Sequence, residues 1–209
     1  NAMCAYHWSR SDDGSFTERA AAACGAAVAL GVEIDPGSAA AARKRGIEVM
    51  VADLNQGIPL EDGSVEAVIS NQVIEHLHAT DLFLSEVTRV LVKGGLLVVS
   101  TENLAGWNNI ASLALGWQPF SLTNISENGL GIGNPLALHR GCGDAYPPGW
   151  QHMRVFAPRG LAELLASHGF AVEKALGAGY FPLVGRAAAL MSAVDVRHSA
   201  FITMKALRR

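Results

Sequence analysis

Apolar positions along this chain change their spacing several times, and each change marks an element. From Phe16 to Cys24 an alanine-rich run, opened by Thr17, Glu18 and Arg19, has high helix propensity, and Gly25 can close it as a C-terminal cap. "VALGVEID" (Val28 to Asp35) is a continuous apolar, β-branched run ending in two acids. Pro36 then suits the first turn of a helix that runs through "SAAAARKR" to Gly46. "IEVMVADL" (Ile47 to Leu54) repeats the strand pattern, and the turn cluster "PLEDGS" precedes a third strand, "VEAVISN" (Val65 to Asn71). Thr80 is placed to cap the next helix, where Phe83, Val87, Val90 and Leu91 form one apolar stripe. Lys93-Gly94-Gly95 breaks that helix before a fourth buried strand, "LLVVST" (Leu96 to Thr101).

Beyond Thr101 the period is lost. Residues 103–150 are rich in Gly, Asn, Pro, Trp and Ser, with a short helix expected near Asn109 to Leu115. A stretch this long without regular structure is characteristic of a functional loop or lid. Regularity returns with a helix from Pro158 through Leu161, Leu164 and Leu165 to Gly169, then a strand at Phe170 to Leu176. A helical pattern near Gly185 to Val194 and a last strand, "AFITMKAL" (Ala200 to Leu207), end the chain. Alternating strands and helices with short connections predict an α/β fold with a parallel sheet, whose ligands bind beyond the carboxyl ends of the strands. Glu33, Asp35, Asp53, Asn71 and Glu102 all stand at predicted strand ends and are expected along that edge.

Composition narrows the picture. The 209 residues fit one domain, expected over residues 3–209, with 103–152 as an inserted lid or substrate-binding segment. Asn1-Ala2 ahead of Met3 reads as the remnant of a cleaved tag and is left out of the expected fold. A net charge of -3 offers no basic surface for a phosphate backbone, so no nucleic-acid partner is expected, and small molecules are the expected ligands. No apolar stretch approaches the ~20 residues that cross a bilayer and no signal-peptide pattern opens the sequence, so neither membrane association nor export is expected and a cytoplasmic location is. Cys4, Cys24 and Cys142 match neither a disulfide framework nor zinc-ligand spacing; they read as reduced thiols, and no metal site is expected.

Candidate chemistry concentrates at the strand ends. An acid there can accept two hydrogen bonds from the vicinal hydroxyls of a ribose, the role that suits Glu33, whereas Asp35 before Pro36 is a natural helix N-cap. Asp53 could accept from an exocyclic amine such as that of adenine, with the Leu54 backbone N–H donating to a ring nitrogen; an Asp after a strand is also a common turn residue. His76 and His152 are the candidate general bases, since imidazole titrates near neutral pH, and each could equally be a hydrogen-bonded structural histidine. Trp107, Trp117, Phe120, Tyr146 and Trp150 could wall an apolar pocket or simply anchor a long loop. "GCGD" at 141–144 imitates a nucleotide-binding loop but has neither the strand before it nor the helix after it, and is assigned to the lid.

"GVEIDP", "VADLNQGIPLEDGSVEAVISNQVIEHL", "EVTRVLVKGGLLVVST" and "HMRVFAPRGLAELLASHGF" occur in the order and spacing of class I S-adenosylmethionine-dependent methyltransferases, and the chain most resembles the type 11 group, over about Gly14 to Phe181. The resemblance implies a Rossmann-like, mostly parallel sheet with helices on both faces and an antiparallel last strand, and S-adenosylmethionine as cofactor. It implies that Glu33 binds the ribose, that Ile34 packs on the adenine face and that Asp53 and Leu54 meet the adenine edge. Asn71 and Gln72 would lie near the methionine part, and His76 near the active site. Lys93-Gly94-Gly95 matches the turn into the fifth strand.

The opening stretch departs from the family pattern. A hydrophobic first strand should end in an acid and a G-x-G-x-G loop, because glycine lets the backbone pass close to the cofactor. Tyr6 to Gly14 occupies that place, and only Gly14 survives as a cofactor-loop glycine. "CAYHWSRS" is also a poor buried strand. Three explanations stand: the true strand is lost, the loop is remodelled and binds weakly, or cofactor binding is gone. The expected function is methyl transfer to a small molecule; the alternative is an inactive methyltransferase-like protein acting as a binding or assembly partner. Loss of the first strand would expose sheet edges and favour a homodimer. A nicotinamide-dependent oxidoreductase, resting on Glu33 alone, ranks last.

Overall fold

The computed structural model describes residues 2–6, 14–126, 129–137, 140 and 151–209. Among the described residues seven strands form one sheet: β1 (Ala2–Tyr6), β2 (Ala29–Glu33), β3 (Glu48–Val51), β4 (Val65–Asn71), β5 (Leu91–Glu102), β6 (Phe170–Ala178) and β7 (Phe201–Arg208). Their order across the sheet is β3-β2-β1-β4-β5-β7-β6. The first five run parallel, while β7 pairs antiparallel with both β5 and β6. Six helices accompany them: α1 (Ser15–Cys24), α2 (Pro36–Lys44), α3 (Thr80–Val90), α4 (Trp107–Ala114), α5 (Pro158–Ser167) and α6 (Gly185–Val194).

The main core lies on one sheet face, where Val32, Val68, Leu97 and Met204 meet Phe83, Leu84 and Val87 of α3 and Leu161 and Leu165 of α5. On the other face Phe16 and Ala20 of α1 pack on Ile69 and Val98, and Ala39 and Ala42 of α2 pack with Ile47 and Val49. Neighbouring strand residues therefore serve opposite faces, which is why both β4 and β5 read as continuous apolar runs.

Four local expectations are corrected. The opening stretch is not a missing strand: the Ala2–Tyr6 backbone pairs in parallel with β2 on one side and β4 on the other, so Ala2, set aside above, takes part in the sheet. With β1 central, the lost-strand argument for a homodimer falls away; the edges of the sheet are β3 and β6. Thr80 does not cap α3: Ala79 occupies the N-cap position and the Thr80 hydroxyl donates back to Leu77 O at 3.2 Å. Leu91 leaves the α3 stripe to begin β5, and Lys93-Gly94-Gly95 is an irregularity inside that strand, Leu91 pairing with Val65 and Leu96 with Ala67.

Other boundaries match the physical reading. Gly25 and Gly46 adopt positive φ where α1 and α2 stop, and Asp35 caps α2 by accepting from Ser38 N at 2.6 Å. Among the described residues no helix is long and apolar enough to cross a membrane.

The segment after β5 is ordered by polar groups. Asn103, Asn109 and Asn134 are fully buried. Asn109 Nδ2 donates to Asn103 O and to Ser121 Oγ, both at 2.8 Å, while its Oδ1 accepts from Ser121 N at 3.2 Å. Asn134 Nδ2 donates to Gln118 O at 2.9 Å and to Ser112 Oγ at 3.2 Å. Side-chain amides thus replace the apolar stripe that a regular element would show. The chain returns to the sheet at Phe156, which bridges to Asn103.

Candidate active site

The carboxyl ends of β2, β3, β4 and β5 share one edge, and the expected strand-end residues lie along it. At the end of β2 Glu33 is buried, 2% exposed, and its Oε1 accepts from Asp35 N at 2.8 Å. Ile34 follows with its side chain 58% exposed, unusual for an apolar residue between a buried acid and a helix cap. The next strand ends at Val51, and Asp53 stands in the turn beyond it. Asp53 Oδ1 accepts from Asn55 N at 2.9 Å and Asn55 Nδ2 at 3.0 Å, and Oδ2 from Gln56 Nε2 at 3.2 Å. Leu54 sends its side chain into the main core. Asn55 Oδ1 accepts from the backbone of His78 and Ala79, tying this turn to the loop after β4.

Gly14 holds φ +86 at the N-cap of α1, where an added Cβ would stand 2.8 Å from Ile47 Cδ1 and 3.0 Å from Ala42 Cβ. Its conformation and close approach to α2 both require glycine. The loop before it, with Arg10, Ser11 and Asp12, lies outside the described residues, as do "GCGD", Tyr146 and Trp150.

A second cluster forms where the loop after β4 meets the end of β5. Asn71 ends β4, and Gln72 has φ +52, a left-handed conformation that non-glycine residues seldom adopt and that concentrates at functional sites. Its N–H donates to Ser100 O at 2.9 Å. Oriented to satisfy both ends, its side-chain amide donates to Glu75 Oε1 at 3.1 Å and accepts from Thr101 N at 3.3 Å.

The returning segment brings His152 to this loop. Met153 N and Arg154 N both donate to Glu75 O, at 2.7 and 3.2 Å, and the Arg154 guanidinium donates to Leu77 O, His78 O and Thr80 Oγ1, each at 2.9 Å. His76 and His152 then meet edge to face, ring centroids 4.7 Å apart at 70°. His76 Nδ1 lies 3.2 Å from Gln151 O and His152 Nδ1 2.6 Å from Ser121 O. A carbonyl oxygen can only accept, so each Nδ1 carries a proton. Glu102 Oε2 lies 3.5 Å from His152 Nδ1.

Sequence reasoning left Glu75 out of the site. It is fully buried between apolar Val73, Ile74 and Leu77, and burial pushes its carboxyl up to about 8; its own backbone N–H and the nearby Thr101 hydroxyl pull the other way, and Glu102 adds repulsion. An acid inside an apolar run was the available signal. Trp107, a candidate either to wall a pocket or to anchor a long loop, stacks on His198 at 4.5 Å and donates to Tyr180 Oη at 2.8 Å.

A sheet ordered β3-β2-β1-β4-β5-β7-β6 with β7 reversed is the class I methyltransferase fold. Residues 12–99 match the family model Methyltransf_11, described as a methyltransferase domain. A protein named as a probable S-adenosylmethionine-dependent methyltransferase in Mycobacterium tuberculosis is 45% identical over 83 residues, 39% of this chain and 30% of that protein. A similarly named protein of Mycolicibacterium smegmatis is 29% identical over 181 residues, 86% of this chain and 55% of that one. The match therefore spans from under a third to just over half of these relatives' length. The crystal structure of an S-adenosylmethionine-dependent methyltransferase from Thermotoga maritima superposes with a TM-score of 0.63 at 18% identity, over 100% of this chain and 82% of that one. The chain thus has the class I S-adenosylmethionine-dependent methyltransferase fold, and its residues 12–99 match the methyltransferase-domain family.

The residues present fit that family's cofactor. An adenosine needs a hydroxyl acceptor, an apolar surface for a flat ring and polar groups at the ring edge. Glu33 and the exposed Ile34 at the end of β2, with Asp53 in the adjoining turn, are of these kinds.

Proposed function

We propose that this chain binds S-adenosylmethionine across the ends of β2, β3 and β4 and transfers its methyl group to a small-molecule acceptor. The observation that carries the reading is the presence on one sheet edge of Glu33 and Ile34 at one end and the His76–His152 pair at the other. Glu33 accepts from the ribose hydroxyls and Ile34 covers the adenine. Asp53 accepts from the adenine amine, exchanging its hydrogen bond from the exposed Gln56, and the Leu54 backbone N–H meets a ring nitrogen. Gly14, packed closely on Ala42 and Ile47, is the glycine at which the cofactor loop would end. Asn71 and Gln72 border the methionine part, the Gln72 backbone being held by Ser100 O and its side-chain amide by Thr101 N.

When bound, S-adenosylmethionine supplies an electrophilic methyl on a sulfonium. The protein's task is to hold an acceptor in line at near-attack distance and to remove its proton where it carries one. His76 and His152 serve the second need, each Nδ1 held by a backbone carbonyl so that Nε2 can receive a proton. Residues 103–152 would supply the acceptor side of the site, and among the described residues Asn109 ties this segment to Asn103 at the end of β5. The test is transfer of radiolabelled methyl from S-adenosylmethionine to a broad panel of small hydroxyl, amine and carbon acceptors. A labelled product whose formation fails with Glu33→Ala is expected. No product from folded, cofactor-saturated protein on the whole panel would overturn the proposal.

A further inference from the structure

Glu75, His76 and His152 each offer one donor atom, and these atoms all lie within 4.8 Å of one another. We infer that the three side chains form a binding site for one divalent transition-metal cation. Two imidazoles and one carboxylate suit the zinc, cobalt, nickel and manganese class, whereas magnesium and calcium favour oxygen-only sets.

Three further observations support the assignment. First, metal-binding histidines characteristically donate their second ring N–H to a carbonyl or carboxylate, which fixes the tautomer and aims the remaining lone pair. Both histidines do so here, to Gln151 O and Ser121 O, and Glu102 stands beside the second. Second, Glu75 Oε2 is fully buried and makes no hydrogen bond, and the same holds for Glu102 Oε2 beside it. A buried carboxyl oxygen without a hydrogen bond is costly, and a dication held between the Glu75 carboxylate and the imidazoles offsets that cost. Third, the edge-to-face histidine rings occupy different directions around a common point instead of stacking. Bonds of about 2.0–2.2 Å place ligand atoms ~3–4.4 Å apart, so the present separations need only modest side-chain closure.

Three protein ligands leave coordination positions open, the arrangement of a reactive metal site. Resting on the methyl-transfer reading, those positions would take one or two oxygens of the acceptor. The cation would lower the pKa of an acceptor hydroxyl. An Nε2 lone pair serves either a proton or the cation, so with the cation bound the histidines act as ligands and no longer as bases.

Metal binding can be tested without methyl transfer. Co2+ is titrated into the metal-free full chain, following its visible absorption and the metal retained after dialysis. The expected result is one Co2+ per chain with a dissociation constant on the order of 10 μM or tighter. His152→Ala and Glu75→Gln should each weaken it by at least about 100-fold, while His78→Ala, at an exposed histidine nearby, should leave it unchanged. Should Glu75→Gln fail to fold, His152→Ala decides, with a Co2+-induced rise in melting temperature expected for the wild type only. Absence of stoichiometric Co2+ in the wild type, or equal retention by His152→Ala, would overturn the inference and leave the methyl-transfer reading standing.

Discussion

Replacing Glu86 with Gln tests how the connection between β3 and β4 is held. Arg89 donates from Nε to Glu86 Oε1 and from Nη2 to Oε2, both at 2.7 Å, and reaches Leu60 O, Ile58 O and Asp62 from the same guanidinium. Glu86 Oε2 also accepts from Ile58 N at 2.9 Å. The Arg89 hydrogen bonds, aided by the Ile58 N–H and the guanidinium charge and opposed by partial burial, hold the Glu86 carboxyl at about 2 instead of 4.5. A depressed folded pKa adds stability that is complete above the unfolded value and disappears as pH falls through the folded one. Converted directly, the difference corresponds to about 3 kcal/mol at pH 7, which partial exposure of the pair reduces to ~2 kcal/mol. Urea unfolding of wild type and Glu86→Gln should therefore differ by ~2 kcal/mol at pH 7 and by less than about half of that at pH 3. A gap equal at the two pH values, or one below about 0.5 kcal/mol at pH 7 as for an exposed ion pair, would refute the reasoning.

Two further substitutions follow from the geometry. Gly14→Ala places a side chain at φ +86 against Ile47 and Ala42, and is expected to cost about 2–3 kcal/mol, lowering the melting temperature by roughly 5–10 °C. A melting temperature within a degree of wild type would show that packing on α2 does not require the glycine. Asn109→Ala leaves Ser121 N and Asn103 O without their buried partner, an expected loss of ~2–3 kcal/mol read by urea unfolding. A loss below about 0.5 kcal/mol would mean that the segment after β5 is not ordered by this network.

The strands at the end of whose apolar runs the site is built were legible in the sequence. Val32, Val68 and Val99 sit in runs that bury both faces, and each run stops at an acid or amide on the ligand edge. The first strand was not, because the sequence "CAYHWSRS" is polar and is not followed by the family's glycines; what identifies it is backbone pairing on both sides, a long-range property. Order after β5 was equally hidden, since Asn103, Asn109 and Asn134 act by hydrogen bonds with no period along the chain. His76 and His152 stood out singly for their chemistry. Their contact depends on Met153 and Arg154 binding the Glu75 carbonyl, which no local pattern encodes. Thr80 illustrates the reverse error: a residue suited to capping was claimed by Leu77 O and Arg154 instead.

The central claim is that the edge marked by Glu33, Ile34 and Asp53 holds S-adenosylmethionine. The most direct measurement is calorimetric titration of S-adenosylmethionine and S-adenosylhomocysteine into this chain, with Glu33→Ala as control and melting curves to verify folding. The account predicts binding of both in the micromolar range and a loss of at least about 100-fold in the variant, since two charge-assisted hydrogen bonds to the ribose at the low end of their range are worth about 3 kcal/mol. No heat of binding from folded wild-type protein, or equal affinity in wild type and Glu33→Ala, would contradict it.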